Sequence, residues 1–167
     1  MFKIRLLILL LISIFFNSCT NNYSKQDHQK FSIAYIGGEY DGLMLKSILN
    51  NHLNSFNAID TKSPYEIQAS ISHRSDLYIT NIDNTSDRQK ISSSLSIRII
   101  NNQEKCVLLN YNNNVSQFYI YASGDKFLSN QRANKKIKKD NTEALVKNFV
   151  NKLFKTNMNC NEKQKSN

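Results

Sequence analysis

Tryptophan is absent from this chain, proline occurs once and glycine four times. The one proline, Pro64, follows Ser63 and breaks the chain at a single point. The only glycine-rich stretch, Gly37-Gly-Glu-Tyr-Asp-Gly42, lacks the Gly-Lys-Ser/Thr ending of a phosphate loop and reads as a strand-to-helix turn. No Gly-x-Ser-x-Gly elbow occurs. Metal-ligand spacing is missing too: no Cys-x-x-Cys is present, and His28, His52 and His73 stand far apart. Acidic residues number 13 against 22 lysines and arginines, and they are scattered. Asp76, Asp83 and Asp87 read as turn residues, where aspartate usually supplies backbone hydrogen bonds. These absences argue against an enzyme and imply no cofactor and no metal. A long apolar run is also lacking: Leu6 to Phe16 is too short for a bilayer, which takes roughly 20 residues.

That short apolar run nevertheless has a context. Met1-Phe-Lys-Ile-Arg5 is cationic and Asn17-Ser18-Cys19 closes the segment, the three-part layout of a secretory signal over residues 1–18. A cysteine directly after a small residue at this point resembles the lipobox of bacterial lipoproteins, in which that cysteine becomes the lipidated first mature residue. The resemblance implies lipid attachment, such as palmitate, at Cys19. The other reading is an ordinary cleaved signal with an incidental cysteine. Thr20 stands where an aspartate would retain an enteric lipoprotein at the inner membrane, so the expected location is the outer membrane, periplasmic side, lipid-anchored. Removing residues 1–18 takes away Lys3 and Arg5 and no acid, which lowers the formal charge from +9 to +7. Asparagine, lysine and isoleucine enrichment of this kind is what an AT-rich genome produces. An exported basic protein still favours anionic partners such as lipid head groups, lipopolysaccharide or an acidic protein surface, and export removes it from nucleic acid. Export also permits a disulfide between Cys106 and Cys160. Two such leftover cysteines are more often a free strand thiol and a free tail thiol.

Residues 19–30 read as a flexible tether, residues 31–155 as one globular domain and residues 156–167 as a polar tail with nothing to bury. Phe31 to Ile36 is a short strand. Asp41-Gly42 opens a helix whose Leu45, Ile48, Leu49, Leu53 and Phe56 recur at helical spacing. Tyr65, Ile67, Ala69 and Ile71 alternate with polar residues as in a half-buried strand, and Leu77 to Ile79 continues the sheet after an irregular step. Ile91, Leu95, Ile97 and Ile99 share one parity, with Ser92, Ser94, Ser96 and Arg98 on the other. Asn101 to Glu104 turns this strand into Val107, Leu109 and Tyr111. The aromatic patch Phe118-Tyr-Ile-Tyr121 has no assigned place. A helix from about Ser129 to Lys155 carries Ile137, Ala144, Leu145, Phe149 and Leu153 on one side. The expected architecture is α+β: a mixed or antiparallel sheet of about four strands with two helices packed on one face.

The densest charge feature is Arg132, Lys135, Lys136, Lys138 and Lys139. It reads either as a solvated helix face or as an electrostatic contact with phosphorylated glycolipid or an acidic protein wall. Arg88, Lys90 and Arg98 add cations near and on the non-core parity of the central hairpin. A hairpin whose outward face is serine and arginine can engage sugars and phosphates.

The order of lipobox, strand, amphipathic helix, polar gap, hairpin and long last helix resembles LptE, the lipoprotein that plugs the LptD barrel in lipopolysaccharide assembly. The likeness covers roughly residues 31–155. It is sharpest at Arg88-Gln-Lys-Ile91 followed by Leu95, Ile97 and Ile99, and at Ala144-Leu-Val-Lys-Asn-Phe149 with Leu153. The chain departs from that family after Cys19, where the frequent Gly-Phe/Trp-x-Leu/Pro stretch is missing, and in the few alanines of its last helix. The resemblance implies an outer-membrane assembly role without catalysis or cofactor, with an LptD-like barrel and lipopolysaccharide as partners. Arg88, Arg98, Arg132, Lys135, Lys136, Lys138 and Lys139 are the candidate contacts to either partner. The competing expectation is a generic lipoprotein, for example an auxiliary subunit of a lipid transporter.

Overall fold

The computed structural model describes residues 29–79, 87–121, 126–158 and 160. Cys19, the 1–18 segment, His28 and the connection around Asp83 lie outside these residues, as does most of the 19–30 tether. The elements run β1 (Ser32–Gly37), α1 (Glu39–Ser55), β2 (Tyr65–Ile79), β3 (Asp87–Asn101), β4 (Cys106–Tyr121) and α2 (Phe127–Leu153). The fold is α+β, a four-stranded mixed sheet in the order β1-β2-β3-β4. Strands β2, β3 and β4 form an antiparallel meander, while β1 lies parallel to β2. A parallel neighbour needs a crossover rather than a tight turn, and α1 supplies it. Gly38, before α1, adopts φ 112, and a Cβ there would meet the Ile71 carbonyl oxygen at 2.8 Å. Only glycine fits that corner.

One parity of the sheet is the core face. Ile67, Ala69 and Ile71 of β2 lie opposite Ile99, Ile97 and Leu95 of β3, and Tyr111 of β4 lies opposite Ile97. Leu45, Leu49 and Leu53 of α1 and Leu145, Val146, Phe149, Val150 and Leu153 of α2 complete the same buried cluster. Both helices therefore cover one face, as the stripe spacing implies. Ala144 is only half-buried and Phe56 is exposed, while Val146 and Val150 of α2 are buried in the core. The polar parity of the meander is left open to solvent.

Several boundaries differ from the sequence expectation. Strand β2 is continuous from Tyr65 to Ile79, with no irregular step, and β4 runs unbroken through Asn112–Asn114 into the aromatic patch. Helix α2 begins at Phe127 and ends at Leu153. The tail is not idle: Met158 packs on the core, as does Phe154 just before the tail, and Cys160 is joined to Cys106 with Cα atoms 5.9 Å apart. Pairing of the two cysteines replaces the reading of two free thiols. Their sequence separation hid what the docking of α2 accomplishes, which is to return the chain to the start of β4.

Candidate functional site

The open sheet face is built from the alternation of serine and asparagine with the core residues. Side by side across β2, β3 and β4 stand Ser70, Ser96 and Asn112, and in the next row Ser72, Ser94 and Asn114. None of these six side chains has a hydrogen-bond partner among the described residues. Because they are short and their neighbours long, the rows form a shallow depression of about 450 Å³. Gln68, Arg98 and Asn110 bound it at one end. At the other end Ser92 and Ser116 hydrogen-bond each other at 3.0 Å. Beyond them lies the row of Asp76, Lys90 and Phe118, with Arg74 paired to Asp76 at 2.8 Å.

Tyr35 reaches this face through a local irregularity of β1. The register steps from Ile33 opposite Ile67 to Tyr35 opposite Gln68, so Ala34 is an extra residue. Regular alternation would turn Tyr35 to the core; the bulge re-aims it. Its ring is 64% exposed and lies against Gly37, where an added Cβ would sit 3.2 Å from the Tyr35 hydroxyl. A second hollow of about 170 Å³, lined by Tyr35, Gln68, Ser70, Ser96 and Arg98, adjoins the first. Nothing in the hydropathy pattern marks Ala34 as a bulge, and the sequence reading missed Tyr35.

The cations named from the sequence fall into two groups on opposite sides of the sheet. Arg98 and Arg88 are on the open face, Arg88 at its far end between Tyr78 and Ile120. Tyr78 and Phe118 meet edge to face at 5.8 Å, and the Lys90 ammonium lies 5.8 Å from the Phe118 ring. Arg132, Lys135, Lys136, Lys138 and Lys139 belong to α2, which covers the other face. Three of these five have acidic neighbours: Lys136 with Asp140 at 3.8 Å, Lys139 with Glu143 at 3.8 Å, and Lys138 with Asp41 of α1 at 3.6 Å. The structure therefore does not gather these residues into one basic patch. The two pairs within α2 are exposed and add little stability, whereas Lys138 and Asp41 are both partly buried.

A buried polar cluster lies beneath the sheet. Asn141 of α2 donates to Ser93 Oγ at 2.9 Å and to the Ile91 carbonyl at 3.3 Å, and His73 Nδ1 lies 2.7 Å from the same hydroxyl. Ser93 and Asn141 are fully buried, so this serine is closed to any substrate. His73 Nε2 and Asn141 Oδ1 have no partner among the described residues. Burial holds the His73 pKa below its ordinary value; Asp41 opposes that shift and Lys138 reinforces it. The signal was present in the sequence as two polar residues in apolar registers: Ser93 within the Ile91–Ile99 parity, and Asn141 between Ile137 and Leu145.

Glu104, Cys106 and Cys160 lie close enough to share a metal, yet the two sulfurs are spent in the disulfide and one carboxylate does not make a site. Among the described residues no helix is long and apolar enough to cross a membrane.

No known family model matches the chain, and no curated protein matches it in sequence. Its fold is shared with solved lipoproteins. The minor lipoprotein of Acinetobacter baumannii superposes with a TM-score of 0.58 at 11% identity, covering 80% of this chain and 96% of that one. The rare lipoprotein B of Shewanella oneidensis gives 0.59 at 8% identity, covering 76% of this chain and 95% of that one. The class defined is thus a fold found in bacterial lipoproteins: two helices on one face of a four-stranded mixed sheet. At such identities the likeness is one of fold.

Proposed function

We propose that this chain is an LptE-like lipoprotein of the outer membrane, a non-enzymatic plug and support for an LptD-like barrel in lipopolysaccharide transport and assembly. The observation carrying this reading is the open sheet face. Both helices pack on one side, so the other presents a broad wall, polar through its middle rows with Tyr78, Phe118 and Ile120 exposed at its far end, and the same architecture spans 95% of rare lipoprotein B. Barrel lumens are polar, and a plug needs an exterior of this kind. Serine, asparagine and isolated cations would meet the wall through many individually weak contacts, with Arg88, Arg98, Arg132 and Lys135 steering association. Lipid at Cys19 would hold the domain at the periplasmic leaflet.

The test is co-purification from detergent-extracted outer membranes. A large barrel protein recovered with the lipoprotein in equal amount is the expected result. Arg88→Glu with Arg98→Glu, or Arg132→Glu with Lys135→Glu, should reduce its recovery without changing the melting temperature. Lys138 is left out because its reversal would face Asp41 with a second carboxylate. Intact lipoprotein recovered alone would end the barrel reading and favour a generic envelope lipoprotein.

A further inference from the structure

The open face carries a feature that barrel contact does not require. Six uncharged side chains in two rows, Ser70–Ser96–Asn112 and Ser72–Ser94–Asn114, point the same way and have no partner among the described residues. Each serine hydroxyl both donates and accepts, and so does each asparagine amide. No formal charge stands within either row. Among the residues lining the two hollows Arg98 alone is charged, so the rows themselves offer the chemistry of a neutral ligand rich in hydroxyl and amide groups, whereas a phosphate would be drawn to arginine or lysine.

Geometry narrows the ligand further. Neighbouring strands stand about 4.8 Å apart, so a chain laid across them meets a new polar side chain at about that interval. That step is close to the length of one pyranose unit in a β-linked glycan. The first row ends at its β1 side on Gly37, whose missing side chain leaves room for the Tyr35 phenol. The exposed Tyr35 ring therefore covers that end of the row, held on the open face by the bulge at Ala34. An aromatic face next to a set of hydrogen-bonding groups suits a sugar ring, which presents C–H groups on one side and hydroxyls at its rim. The two adjoining hollows, of about 450 and 170 Å³, give such a chain room along this line.

We infer that the open sheet face is a binding site for a short neutral glycan of N-acylated amino sugars lying across β2, β3 and β4, with Tyr35 as its stacking platform. This inference goes beyond the barrel reading, and because both use the open face, a glycan seated there would compete with the barrel wall for the same serines and asparagines. Sugar hydroxyls and acetamido groups replace the water now solvating the six side chains, and the ligand needs no phosphate.

The full-length mature lipoprotein in neutral detergent is titrated calorimetrically with a soluble tetramer of β-1,4-linked N-acetylglucosamine. Saturable binding is expected. Ser96→Val with Asn112→Val should weaken it about tenfold, the scale of two lost neutral hydrogen bonds. Tyr35→Ala should weaken it without altering the melting temperature, and Lys147→Glu, on the exposed side of the last helix, should leave it unchanged. Valine suits an exposed strand position, so the double variant should fold; its melting curve and far-ultraviolet spectrum verify that. No heat at millimolar tetramer overturns the inference, as does binding insensitive to all three open-face substitutions. Binding only of phosphorylated sugars, displaced by inorganic phosphate, overturns it as well. Barrel co-purification is read out separately, so either result leaves the other interpretable.

Discussion

Phe149 is fully buried, with its ring 5.4 Å from that of Tyr111, whose other contacts include the Lys152 ammonium at 5.4 Å. It joins α2 to the outer strand of the sheet, so its truncation would leave a cavity between two layers. Phe149→Ala should lower stability by about 3–5 kcal/mol, a large share of what a domain of this size possesses. Urea denaturation checks this, and an unchanged midpoint would contradict the packing. His73 makes a different prediction. Burial favours its neutral form, so the unfolded chain binds the proton more tightly than the folded one. Its contribution is complete above the ordinary value of 6.5 and declines as pH falls below it toward the lowered folded value. Acidification through that window should destabilise the protein, and His73→Gln should flatten the dependence. Equal slopes in the two proteins would assign the acid sensitivity to other groups. The neighbours that set this balance are Asp41 from α1, Lys138 from α2 and the uncharged Ser93 from β3.

At the scale of elements, the Cys106–Cys160 bridge closes a segment with a sequence separation of 54 that contains β4 and α2. Cross-linking a loop of that length removes about 4 kcal/mol of chain entropy from the unfolded state. Cys160→Ser should therefore lower the denaturation midpoint of the oxidised protein toward that of the reduced wild type. If reduction leaves the wild-type midpoint unmoved, the bridge contributes nothing. The β2–β3 pairing and both helix stripes were legible in the sequence because each element has one apolar and one wet face, and periodicity registers that contrast. Strand β4 was legible only to Tyr111. Asn112–Asn114 are poor strand formers taken alone, and it is the ladder to β3, with Asn113 opposite Leu95 and Asn114 opposite Ser94, that keeps them extended. The candidate site was half legible. The outward serines and Arg98 followed from parity, whereas Tyr35 depended on a bulge and the convergence of Ser70, Ser96 and Asn112 on register between strands. The bridge was hidden for a similar reason, since it depends on where α2 docks.

At the scale of the molecule, the two helices and the disulfide all secure one side of a sheet whose last strand is left outermost. Strand β4 spans Cys106–Tyr121 without a charged residue, a proline or a glycine. Outer strands are normally guarded by such residues against pairing with a stranger, and here the sole covalent restraint is at its first residue, Cys106. The molecule thus has one side on which nothing in the strand itself forbids growth of the sheet. In dilute solution its net positive charge, +9 for the whole chain and +7 without residues 1–18, keeps copies apart. High salt screens that repulsion within a few ångströms, and a concentrated preparation would then polymerise strand to strand, by a route that salt, rather than heat, sets in motion.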